Sequence, residues 1–173
     1  MQELTLEIIV ELPDDQNPLH APLNVLQLTS LSINLSSGFY GPYITLAELD
    51  ILCHVERLHL SNSWVGRRGL YMGLHKLNHL THVSFPTHPT GQLFHRTLCY
   101  ILKELPRLQV AVLWVVTSSD DLEESASGEL CSLLKLLGLD DERVVVFDAE
   151  QFSEHENDFW ELAESIVRRR RTA

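Results

Sequence analysis

Leu28-x-x-Leu31-x-Ile33, Val55-x-x-Leu58-x-Leu60, Leu80-x-x-Val83-x-Phe85 and Leu105-x-x-Leu108-x-Val110 recur 27, 25 and 25 residues apart. Apolar residues at this spacing and step describe a short strand followed by a returning element. A unit of that size cannot bury its own apolar face, so neighbours must stack and share a core. The pattern predicts an α/β solenoid of about five to six strand-helix units, with a curved parallel sheet and a C-terminal capping helix.

Outward from these repeats, Leu4-x-Leu6-x-Ile8 alternates apolar and polar residues, with Leu4 27 positions before Leu31, and reads as a first strand. Pro13 and Pro18 exclude a continuous helix after it. Thr45-Leu46-Ala47-Glu48 is a capping box that opens a returning helix carrying Leu46, Leu49 and Leu52 or Cys53. Leu70, Leu74 and Leu77 form the next apolar stripe. Leu98, Ile101, Leu102 and Leu105 form a longer one, entered near Thr90-Gly91 and stopped before Pro106.

The gap from Leu108 to Val144 is 36 residues, and its extra length holds an acidic insertion at about 117–128. A helix over Leu130–Leu137 follows, with Gly138 at its C-terminal cap. Val144-Val145-Val146-Phe147 reads as a strand with both faces apolar. The final helix, at about 157–171, starts after Asp158 and ends in Arg168–Arg171, where the helix dipole favours cations. It is expected to pack against the last strand and close the stack, within a single domain spanning 1–173.

Composition narrows the function. The net charge is −11, and 15 acidic residues lie between Ser118 and Glu164 against only Lys135 and Arg143. Such a chain repels nucleic acid. No apolar run is long enough to span a membrane, and the N-terminus lacks the basic start and apolar stretch of a signal peptide, so an intracellular setting is expected. Cys53, Cys99 and Cys131 are odd in number and widely spaced, which predicts reduced thiols buried on helices.

With leucines turned inward, the residues between them should form two ladders on the open face of the sheet. The first ladder is expected to run Ser30, Arg57, His82, Arg107, Arg143, and the second Ser32, His59, Ser84, Gln109, Val145. Arg57, His59, His82, Arg107, Gln109 and Arg143 are therefore the candidate partner-binding residues. Arginine's planar fork suits a protein partner with an acidic or phosphorylated segment. The competing reading is that Glu56, Glu142 or the acidic insertion satisfies these arginines internally.

Motifs for chemistry are weak. His75 and His79 stand at i, i+4, but Lys76 occupies the position where a catalytic zinc helix needs glutamate. Ser132-Leu133-Leu134-Lys135 matches S-x-x-K without its partner motifs. No catalytic residue, cofactor or metal is expected. Trp64 and Trp114 follow strands and read as core or edge packing.

The L-x-x-L-x-L units between Leu28 and Val112 resemble the leucine-rich-repeat superfamily. More narrowly, Leu105-Pro106-Arg107-Leu108-Gln109-Val110, Asp141-Glu142-Arg143-Val144-Val145-Val146 and the Phe159-Trp160 helix are similar to the repeat region of uncharacterised fungal F-box-like/leucine-rich-repeat proteins. That resemblance implies a non-enzymatic protein–protein interaction module, the substrate-recognition part of a ubiquitin-ligase adaptor. An F-box-like helical segment is not seen before Leu4, so only recognition is carried over. Two rivals stay open: a small doubly wound α/β enzyme with its site at the strand C-terminal ends, and a scaffold presenting the acidic segment around Asp120–Glu124.

Overall fold

Every described strand lies beside its neighbour in chain order. A computed structural model describes residues 8–9, 28–34, 52–61, 73–87, 92–115, 128, 131–132, 134–135, 138, 140–148 and 158–172. The strands are β1 (Ile8–Ile9), β2 (Ser30–Asn34), β3 (Arg57–Leu60), β4 (His82–Thr87), β5 (Val110–Val115) and β6 (Val144–Asp148). All are parallel, in the order β1-β2-β3-β4-β5-β6. A doubly wound sheet reverses its strand order, and these strands do not.

The returning elements differ in kind. Before β4 the chain makes a 3-10 turn at Leu74–Lys76, where the apolar stripe had suggested a helix. Leu74 and Leu77 are still buried. Helix α1 (Gln92–Glu104) occupies the next connection and ends before Pro106, as its stripe predicts. Cys131, Ser132, Leu134 and Lys135 are helical, and Gly138 takes a φ of 68°, the left-handed conformation of a helix-ending glycine. The capping box at Thr45 and the acidic insertion lie outside the described residues.

Backbone hydrogen bonds repeat with the units. Thr29 O accepts from the N–H groups of Glu56 and Arg57, Glu56 O from Thr81 and His82, and Thr81 O from Gln109 and Val110. In the turn before each strand, Val55 N–H donates to Leu52 O, Leu80 to Leu77, and Leu108 to Leu105.

Those turns correct the expected frame. Leu31, Leu58, Val83, Ala111 and Val144 are successive register partners. Ala111, not Leu108, therefore stands beside Val83. The full unit is Leu52-x-x-Val55-x-x-Leu58-x-Leu60, then Leu77-x-x-Leu80-x-x-Val83-x-Phe85, then Leu105-x-x-Leu108-x-x-Ala111-x-Leu113. Because its first two apolar positions are leucines three apart, the L-x-x-L-x-L frame fits the last unit three residues early. Val110 thus takes the ladder place expected for Arg107, and Val112 that expected for Gln109. Ile8 likewise lies opposite Ile33, a 25-residue step in place of 27.

The sheet is covered on both faces. On one, Leu31, Leu58, Val83, Ala111, Leu113 and Val144 pack with Leu98, Ile101 and Leu105 from the α1 side. On the other, helix α2 (Phe159–Thr172) sets Phe159, Trp160, Ala163 and Val167 against Val110, Val112, Val145 and Phe147. The helix expected to close the end of the stack instead lies across the face expected to be open. All six residues of β4 are consequently buried, His82 and Ser84 among them. No helix among the described residues is long and apolar enough to cross a membrane.

Candidate functional site

Helix α2 leaves uncovered the edge of the sheet where the strands begin. An open cleft of about 680 Å³ lies there, between the turns entering β2–β5 and the first turns of α2. Its lining includes Ser30, Arg57, His82, Arg107, Gln109 and Glu161. Arg57 and His82 come from the ladder, where they are register partners. Arg107 and Gln109 come from the turn entering β5, and both are exposed. Arg107 Nη1 donates to Asn78 O over 3.0 Å, which holds the arginine against the preceding unit.

One carboxylate connects the ladder to α2. Arg57 Nη2 donates to Glu164 Oε1 over 2.8 Å, and His82 Nε2 lies 3.2 Å from the same oxygen. The histidine's geometry is fixed from its other side. Thr81 Oγ1 donates to Glu56 O over 3.2 Å and stands 2.7 Å from His82 Nδ1. The Nδ1 contact accommodates either ring tautomer, and only a proton on Nε2 makes the Glu164 contact attractive. Nε2 is buried 3.2 Å from the carboxylate oxygen, at an angle that falls short of an aligned hydrogen bond. Burial pushes the His82 pKa down, Glu164 opposes that shift, and Arg57 adds to it.

Apolar contacts hold α2 far more strongly than charge does. Full burial of a large apolar side chain is worth roughly 1.5–3 kcal/mol, and Phe159, Trp160 and Val167 are each 7% exposed or less. The Arg57 and Glu164 side chains are 29% and 28% exposed, and ion pairs of that kind give about 0–1 kcal/mol. Ring contacts extend the apolar seat: His82 stands edge-on to Trp160 at 5.5 Å, and His59 edge-on to Phe159 at 5.6 Å.

The six candidates thus separate. Arg57, His82, Arg107 and Gln109 meet in the cleft. His59 does not: it lies near Phe159 and Trp114, bonds Ser84 Oγ through Nδ1 at 3.1 Å, and burial lowers its pKa to about 4. Arg143 turns away as well. Its Nε and Nη2 hold the Asp141 carboxylate at 2.8 and 2.7 Å, and Nη2 also reaches Leu102 O of α1. The hydrogen bond from Arg143 lowers the Asp141 pKa, and that same bond raises the arginine's own. Compared with known proteins, the chain matches no family model, no curated protein and no solved structure.

Other motifs resolve into local structure. His75 Nδ1 approaches Glu104 Oε2 at 3.4 Å, while the His79 ring faces His54 at 5.8 Å, so the two histidines do not share a helix face. Among the described residues, no group of three or more His, Cys, Asp or Glu side chains could hold a metal. Ser132 Oγ donates to Gly128 O, four residues earlier. The three thiols are free; Cys53 is exposed, and Cys99 and Cys131 are half-buried, so the expected burial is incomplete. Trp64 lies outside the described residues.

Sequence reasoning missed Glu164 and His79. His79 lines the cleft one residue before Leu80, the position Arg107 holds before Leu108. A signal for Glu164 existed: it falls between Trp160 and Val167 on the apolar stripe of α2.

Proposed function

We propose that the chain is a leucine-rich-repeat-like solenoid serving as a non-enzymatic protein-interaction module, and that its cleft receives an acidic segment of a partner. The in-order parallel strands and the carbonyls of Thr29, Glu56 and Thr81, each accepting two N–H groups from the next unit, support the solenoid reading. The observation that carries the interaction reading is the convergence of Arg57, His82, Arg107 and Gln109 on one solvent-open cleft. Arg57 and Arg107 supply positive charge, and Gln109 a hydrogen-bond donor, in a cleft that also holds Glu56 and Glu161, on a protein whose net charge is −11. Substrate selection for an F-box-like ubiquitin-ligase adaptor, the role implied by the sequence resemblance, belongs to the same proposal.

The test is a panel of acidic, neutral and basic peptides titrated by fluorescence anisotropy at about 0.1 M salt, where charges beyond roughly 10 Å are screened. Acidic peptides should bind, and Arg57→Glu combined with Arg107→Glu should remove that binding while the fold persists by circular dichroism. Binding that survives the double reversal overturns the proposal.

A further inference from the structure

We infer that Glu164 is a built-in occupant of a carboxylate seat formed by Arg57 and His82, and that a glutamate side chain of the partner competes with it for that seat. The inference rests on the acidic-segment reading of the cleft and names the chemistry at its inner wall.

Three observations meet here. First, one carboxylate oxygen already sits between a guanidinium and an imidazole, 2.8 Å from one and 3.2 Å from the other. The seat's fit to a carboxylate is therefore visible within the chain. Second, Arg57 and His82 both line the open cleft, so a ligand entering it lies beside the seat and reaches it once the Glu164 side chain swings out. Third, Glu164 is not what fastens its helix: Phe159, Trp160, Ala163 and Val167 are buried against β5 and β6. The Glu164 side chain is partly exposed and can swing into solvent without undocking α2. The exchange is thus between two carboxylates, with the helix left in place. The contact of His82 Nε2 with Glu164 is close without being an aligned hydrogen bond, which makes the present occupant an imperfect one.

The probe is a fluorescein-labelled hexaglutamate peptide, titrated at about 0.1 M salt against the full chain and against Glu164→Ala, Glu164→Gln and Asp140→Asn. Asp140 is exposed and away from the cleft lining, so its variant removes the same unit of charge elsewhere. Both Glu164 variants should bind about fivefold tighter or better, by removing the internal competitor, and Asp140→Asn should bind as the parent does. Circular dichroism and tryptophan emission establish that α2 stays docked in each variant.

If the parent binds and Arg107→Glu abolishes binding, but neither Glu164 variant tightens it, the seat inference falls and the interaction reading stands. Equal tightening by Asp140→Asn also overturns the seat, because the effect would then be general electrostatics. If no variant binds hexaglutamate while a phosphoserine-rich peptide binds the cleft, the commitment to carboxylate is wrong. If neither peptide binds any form, the inference and the acidic-segment reading fall together.

Discussion

Arg57 and Glu164, 107 positions apart in sequence, form a 2.8 Å ion pair that ties the third strand to the C-terminal helix. Both side chains remain more than a quarter exposed, so the pair specifies where the helix lies more than how firmly it is held. A double-mutant cycle with Arg57→Met and Glu164→Gln should give a coupling of about 0.5–1 kcal/mol in urea unfolding. A coupling above about 2 kcal/mol would mean that charge, not apolar burial, docks the helix.

Ala163 is fully buried where α2 crosses β5 and β6. Its small side chain sets how closely the helix approaches the sheet. Ala163→Leu should overpack this contact and cost roughly 1–3 kcal/mol. The imidazole of His59, freed from part of its cover, should titrate closer to its ordinary value of 6.5 by NMR. An unchanged His59 titration would show that α2 is not what shields it.

Acid should weaken the fold through the same histidine. His59 has a folded pKa of about 4 against an ordinary 6.5. Above pH 6.5 the ring is neutral in both states and its contribution is intact. Between pH 6.5 and 4 the unfolded chain binds a proton that the folded chain does not, so stability falls as pH falls, by at most about 3 kcal/mol. The His82 shift has the same sign. His59→Gln should flatten much of this slope in urea titrations at pH 7, 5.5 and 4.5. Asp141, held low by Arg143, adds a loss only at more acidic pH, as its carboxylate protonates.

Arg143→Gln should separate structure from binding. The guanidinium bonds Asp141 and a carbonyl of α1, away from the cleft. Its loss should lower stability by about 1 kcal/mol and leave acidic-peptide affinity unchanged. A fall in affinity at constant stability would return Arg143 to the binding surface.

Leu58 is fully buried between Leu31 and Val83. Leu58→Ala should cost roughly 2–5 kcal/mol, and hydrogen exchange should accelerate in β2 and β4 together with β3. Protection lost in β3 alone would contradict stacked units sharing one core.

Much of the sheet was legible because its signal is local. A strand needs only apolar residues at alternate positions, so Leu58 and Leu60, or Val83 and Phe85, announce themselves within six residues. The frame failed at the fourth unit because a pair of apolar residues three apart occurs twice in each repeat, and Leu105-Leu108 matches either place. Only pairing with Val83 decides between them. Of the candidate site, Arg57 and His82 were placed correctly side by side; Arg107 and Gln109 reached the cleft from the turn instead of the strand. The apolar character of both faces in Val144–Phe147 was the visible hint that something covers the inner face.

The spacing of leucines by itself determined that strands run parallel and follow one another across the sheet, because each unit can bury its apolar edge only against the next. Tertiary structure alone decided which face α2 covers. An amphipathic helix can seat its stripe on any apolar surface within reach, and the choice was made by Val110, Val112, Val145 and Phe147 meeting Phe159, Trp160, Ala163 and Val167. That contact, between segments distant in sequence, is what brings Glu164 to Arg57 and His82.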